Sequence, residues 1–187
     1  MAMNLYKEYT FTEGDREEFR ARRKVLQWAC EYPLLFDSED IRIARTQAQM
    51  GYHFFEWYVA IRLYEEIGYL SLVEKYAYKA HARKRATFQS LVPASVFEFV
   101  TERKKHGYGQ QAPDLLVYAP DRSDWFFCEV KGLQDKLSKE QTRFFDALEE
   151  WSGKPVRYVH VSLESQQLAR CPSCCDSPGI GESLRSR

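Results

Sequence analysis

No stretch of this 187-residue chain is long and apolar enough to span a membrane, so no membrane partner is expected. The first twenty residues, with Glu13, Asp15, Glu17 and Glu18, do not resemble a signal peptide. A cytoplasmic location is therefore expected, with the nucleoid as the site if the source is bacterial or phage. The five cysteines are odd in number and unevenly placed, which excludes a disulfide framework and agrees with a reducing compartment. Cys171, Cys174 and Cys175 offer half of a zinc-binding pattern, but a second Cys-x-x-Cys is missing and a structural zinc needs four ligands. The tail, 164–187, is short of large apolar residues and is expected to be disordered. Net charge is absent too, with 27 basic residues against 27 acidic ones, so binding of a polyanion through bulk positive charge is excluded. What is present is a 44% hydrophobic content, enough for one domain with its own core.

The most informative stretch is Pro113–Lys131, PDLLVYAPDRSDWFFCEVK. It predicts two short strands, Pro113–Tyr118 and Trp125–Lys131, joined by the polar turn 119–124. Side chains alternate along a strand, so Glu129 and Lys131 share one face while Phe126, Cys128 and Val130 take the other. In a hairpin, Asp114 and Glu129 converge at the outer end of the pair. Two close carboxylates repel, and partly buried charges lose hydration. A divalent cation removes that conflict, and hard oxygen ligands suit Mg2+ or Mn2+. Lys131 beside the ion would stabilise developing charge or orient an attacking water. The competing reading puts Asp114 in a turn and Glu129 and Lys131 on an exposed strand. The Pro-Asp opening and the hairpin spacing favour the metal reading.

These residues resemble the metal-binding motif of the PD-(D/E)xK nuclease superfamily. Within it, APDLLVY, WFFCEVKG, DKLSKEQTRFF and PVRYVHVS resemble the virus-type replication-repair nuclease (VRR-NUC) domain, over roughly residues 51–162. The resemblance implies that Asp114 and Glu129 are metal ligands, that the Val130 carbonyl completes the site, that Lys131 is the catalytic lysine, and that Gln141 is the glutamine of the following helix. Gln141 also closes a capping box with Ser138, which is a competing explanation for it. It further implies a restriction-endonuclease-like α/β fold, αβββαβ, with a mixed central sheet flanked by helices. Homodimers acting on branched DNA such as Holliday junctions are implied in the same way.

The remaining segments fit that order. Residues 1–50 predict an N-terminal helical extension: a polar segment, a helix from Asp15 to Glu31 crowded with arginines, and a second helix from Ser38 towards Gly51. The nuclease core spans 51–163. It opens with an apolar helix in which Glu56 interrupts the stripe Tyr52, Val59, Ala60, Leu63 and Ile67. Glu56 is either a buried acid paired with Arg62 or Arg83, or the third acid of the metal site that the resemblance implies. His53 beside it reads as a packed or surface histidine. The interval 69–78 predicts a strand, although 70–75 is also compatible with a longer helix. A basic helical insertion follows over 79–106, where Lys79, Arg83, Lys84, Arg85, Arg103, Lys104 and Lys105 face only Glu98 and Glu102. That run is a solvated face or a phosphate-binding wall. Ser138 opens a helix to about Trp151, and residues 156–161 form the last strand, parallel to the second strand of the hairpin.

The function expected is a Mg2+- or Mn2+-dependent, structure-selective DNA endonuclease. The alternatives are a sequence-specific restriction-type endonuclease and a non-cleaving nucleic-acid-binding or scaffold module of the same fold.

Overall fold

Four of the five described β-strands divide their side chains between two apolar layers, and that division fixes the architecture. The computed structural model describes residues 5–109, 112–132 and 135–164. Five strands, β1 (Leu5–Phe11), β2 (Leu70–Val73), β3 (Leu115–Tyr118), β4 (Trp125–Lys131) and β5 (Arg157–Leu163), form one mixed sheet in the order β1-β5-β4-β3-β2. Among the described residues seven α-helices flank it: α1 (Glu13–Arg20), α2 (Arg23–Glu31), α3 (Ser38–Gln47), α4 (Phe54–Ile67), α5 (Ala82–Leu91), α6 (Ala94–Thr101) and α7 (Lys139–Ser152). On one face Phe126, Cys128 and Val130 of β4 join Leu115, Val117, Val159 and Val161 against α1 to α4. On the other, Trp125 and Phe127 join Leu116 and Tyr158 against α5, α6 and α7. The period of two read from β4 is thus the layer structure itself.

The expected αβββαβ order is present as α4, β2, β3, β4, α7 and β5. β3 and β4 pair antiparallel, closed by the bond from Ala119 N–H to the Asp124 carbonyl at 2.9 Å. β5 runs parallel to β4, which requires the crossover that α7 supplies. The Ser138 capping box starts α7, and Gly153, in the left-handed region at φ +66°, ends it. Among the described residues, no helix is long and apolar enough to cross a membrane.

The N-terminal part departs from expectation. Its first segment is not merely polar: β1 pairs parallel with β5 and buries Tyr9 and Phe11. The single helix expected over 15–31 is two helices, broken where Arg22 takes φ +67°. Phe19 and Trp28 are nine residues apart, so an unbroken helix would place them about 180° apart. The break lets both rings reach Phe54, at 5.3 and 6.1 Å. α3 is capped by Asp37 rather than Ser38, through a box with Asp40. In α4 the buried stripe holds Val59, Ala60 and Leu63, while Tyr52 and Ile67 at its ends are exposed. Likewise Trp151 is half-exposed at the end of α7, stacked on Phe99 at 5.1 Å. Most of the expected disordered tail, with Cys171, Cys174 and Cys175, lies outside the described residues.

Candidate active site

The site forms where β2 and β4 end, β3 begins, and the N-termini of α4 and α7 meet the sheet. Asp114 stands one place before Leu115, whose partner is Cys128, and so faces Glu129 across the hairpin. The two acids are locked through the backbone. Val130 N–H donates to Asp114 Oδ2 at 2.9 Å, and Asp114 N–H donates to Glu129 Oε2 at 3.3 Å. The Tyr76 hydroxyl, fully buried, holds the preceding Pro113 carbonyl at 2.8 Å. Lys131 lies two residues after Glu129 on the same face, and its Nζ donates to Glu129 Oε1 at 2.8 Å. Glu129 is 3% exposed and Lys131 9%, so neither charge is neutralised by bulk water.

Gln141 makes two contacts from one amide. Its Oε1 accepts from Ser138 N–H at 3.1 Å, closing the cap, and its Nε2 donates to Glu129 Oε1 at 3.0 Å. An amide carries an acceptor and a donor, so the structural and the site roles do not compete. Gln141→Ala is expected to cost about 1–2 kcal/mol, from a lost cap and a lost bond to a carboxylate, read by urea denaturation. Gln141→Glu keeps an acceptor for Ser138 but has no donor for Glu129. It should retain the cap and still lower activity.

Glu56, in the first turn of α4, pairs with neither arginine expected as its partner: Arg62 is taken by Glu65 at 2.7 Å, and Arg83 by Asp37 and Asp40. Its neighbour is His53, whose Nδ1 lies 3.5 Å from Glu56 and 3.2 Å from Glu74. Ligand atoms of His53, Glu56 and Glu74 all fall within 4.8 Å of one another. Sequence reasoning missed Glu74. It is the first residue past β2, and its N–H donates to the Asp114 carbonyl at 2.8 Å. An acid directly following the strand that pairs with the Asp114 strand was the available signal. His53 is neither merely packed nor on the surface, because it bridges the two acids.

The electrostatics follow from burial and crowding. Burial, then the charges of Glu129, Glu56 and Glu74, push the Asp114 carboxyl well above the usual carboxylate range. Burial also raises Glu129, against the opposing pull of Lys131. For His53, burial acts downwards, but its bonds to Glu56 and Glu74 prevail and raise it to about 10. The oxygen-rich set of Asp114 and Glu129, with Glu56 and Glu74 adding charge, offers the hard ligands that a divalent cation takes. Bound there, a cation would relieve the repulsion that lifts Asp114.

The family model described as the VRR-NUC domain matches residues 60–163, more than half of the chain. The protein belongs to the VRR-NUC domain family. The matched span holds Asp114, Glu129, Val130, Lys131 and Gln141, and starts four residues after Glu56. No curated protein matches the chain. Among solved structures, the crystal structure of paFAN1 bound to 2nt 5' flap DNA with gap is similar, at 14% identity and a TM-score of 0.42. The alignment covers 81% of this chain and 48% of that one, so the chain spans about half the length of that protein.

In this VRR-NUC protein the backbone must leave β4 beneath α4. A Cβ on Gly132 would meet the Phe55 ring at 2.5 Å, so any side chain after the lysine would have to displace that ring. The basic insertion divides in two. Lys79, Arg85, Arg103, Lys104 and Lys105 line a groove of about 580 Å³. Within it, Arg85 donates to the Ala77 carbonyl at 2.8 Å, Arg103 is buried, and Lys105 pairs with Glu102 at 2.8 Å. Arg83 and Lys84 point elsewhere, towards α3. Lys84 is 5% exposed, ion-paired with Asp40 at 2.5 Å and bonded to the Val73 carbonyl at 2.6 Å. A phosphate-contacting role expected for Lys84 is therefore corrected, because a buried and paired ammonium cannot reach a backbone in solution.

Proposed function

We propose that this protein is a Mg2+- or Mn2+-dependent endonuclease that hydrolyses phosphodiester bonds in DNA, with branched DNA such as a Holliday junction as its substrate and a homodimer as its working form. The observation that carries the reading is the buried, interlocked set of Asp114, Glu129 and Lys131 at the open end of the β3–β4 hairpin. Asp114, Glu129, the Val130 carbonyl and Glu56 would hold the metal, with Glu74 and His53 beside Glu56. The ion, when bound, polarises a phosphate oxygen and lowers the pKa of a bound water.

The chain's own residues do the rest. Gln141 fixes the Glu129 carboxylate from one side and Lys131 from the other. Lys131, held two residues along a rigid strand, places its ammonium where negative charge develops on the attacked phosphate, and costs no reorganisation to do so. The groove of Lys79, Lys104 and Lys105 supplies cations for the flanking backbone. In a homodimer, two such sites related by a two-fold axis would cut two strands symmetrically.

The test is cleavage of a labelled four-way junction and a matched linear duplex with Mg2+, Mn2+ or EDTA. Wild type should cut the junction only with metal, and Lys131→Ala should slow cutting by on the order of 10²–10³-fold. Equal cutting of both substrates would remove the branched-DNA preference. Site preference on the linear duplex would point to a restriction-type enzyme, and binding without cutting to a scaffold.

A further inference from the structure

One face of α3 turns Asp40, Ile43 and Gln47 to a pocket shared with His53 and Glu74, and another carries Arg42 and Arg45. Arg22, Arg42 and Arg45 line one cavity of about 400 Å³ together with Ser38, Ile41 and Thr46, and its lining includes no acidic side chain. Ser38, Arg42 and Arg45 recur at i, i+4 and i+7, one stripe of the helix, and Arg22 comes in from the break between α1 and α2. The Nε of Arg22 is buried with no hydrogen-bond partner. Among the described residues Arg45 has no ion pair, and Arg42 has only a loose one, 3.9 Å from Glu39.

This is not general basicity, since the chain has as many acids as bases. The neighbouring acids are turned mainly to other partners: Asp37 and Asp40 to Arg83 and Lys84, while Glu39 lies 3.4 Å from His81 and 3.9 Å from Arg42. Three arginines lining one space bring like charges together, and a guanidinium fork matches the oxygens of a phosphate.

We infer that the Arg22–Arg42–Arg45 cavity is a phosphate-binding site, separate from the acidic centre and from the Lys79–Lys105 groove. The phosphate has two sources, a phosphodiester of a DNA strand or free phosphate. The first rests on the proposed nuclease reading, and gives the protein a second hold on its substrate. Arg42 and Arg45 are exposed on the helix surface, so replacing both with alanine leaves the core untouched.

The test compares wild type with the Arg42→Ala/Arg45→Ala variant, full chain, after circular dichroism and melting show that the fold is kept. Inorganic phosphate is titrated with arginine Nε–H signals read by NMR. DNA binding is measured by fluorescence anisotropy in EDTA over a range of salt. A drop of about tenfold in DNA affinity, with a salt slope shallower by about 1 for each phosphate that the variant no longer holds, supports the strand as the ligand. Phosphate shifts on Arg22 in the wild type, absent in the variant, with DNA binding unchanged, assign the site to the free ion. Unchanged DNA binding together with no phosphate shifts overturns the inference. Cleavage tells the two readings apart. A protein that cuts DNA but binds it equally in both forms keeps the nuclease and removes the strand from this cavity, whereas pair-dependent binding without any cutting does the reverse.

Discussion

Replacing Asp114 with asparagine is expected to abolish cleavage and, in EDTA, to raise the melting temperature. Cleavage should fall by on the order of 10³-fold or more, because on the proposed reading the change removes a carboxylate that would hold the cation in a site built on electrostatics. The stability gain has a different origin. In the folded protein, burial and then Glu129, Glu56 and Glu74 lift the Asp114 carboxyl well above the ordinary carboxylate value. A group whose folded pKa exceeds its unfolded one is bound to a proton first in the native state, so the protein is relatively stable below the unfolded value and loses that stability as pH rises through the folded value. Asparagine keeps an oxygen to accept from Val130 N–H and carries no charge at any pH. The variant should therefore melt higher than wild type at pH 7 to 8 without metal, with the difference closing as the pH falls towards 4. Adding Mg2+ should raise the wild-type melting temperature and leave the variant nearly unmoved, since on the proposed reading only the former would hold the ion. Calorimetry with and without EDTA, beside a cleavage assay, checks both halves. A variant that still cuts would remove Asp114 from the site.

The parts of this site that were legible in the sequence are those written in one short window. Asp114, Glu129 and Lys131 sit within 18 consecutive residues, where the period of two puts Glu129 and Lys131 on one face and the hairpin brings Asp114 to them. Gln141 was legible as well, but as two rival explanations that the amide group makes compatible. The acids contributed by other elements were harder to read. Glu56 was visible as a carboxylate on an apolar stripe, yet its partner could not be chosen, because the pairing of Arg62 with Glu65 and of Arg83 with Asp37 depends on side-chain geometry. Glu74 and His53 become neighbours only once β2 lies antiparallel to β3 and α4 returns over the sheet. β1 was missed because Lys7 and Glu8 interrupt its alternation, and Lys7 is there to pair with Glu66 of α4. Charge runs were the least readable. Consecutive basic residues at 83–85 have three different fates, with Lys84 in the interior.

That interior lysine sets the second large effect. Asp40→Ala is expected to destabilise the protein by about 3–5 kcal/mol, because it leaves the Lys84 ammonium buried without its counter-charge. Asp40 is 2% exposed and also receives Arg83 at 3.0 Å and closes the α3 cap, so its loss removes three interactions at once. The companion change Lys84→Met should restore most of that loss, since removing both charges leaves no unpaired ion, and a double-mutant cycle by urea denaturation measures the coupling. A small effect of Asp40→Ala alone would mean that Lys84 finds water. The pair also bears on the active site. Lys84 holds the carbonyl of Val73, the last residue of β2, and the next residue is Glu74, whose N–H is bonded to the Asp114 carbonyl. Loosening Lys84 therefore loosens the strand end that carries an acid of the candidate centre. If Lys84 acts through this anchor, Lys84→Met with Asp40→Ala should lower the cleavage rate while the salt slope of DNA binding stays as in wild type. A lysine that held a phosphate would instead make that slope shallower by about 1 when removed.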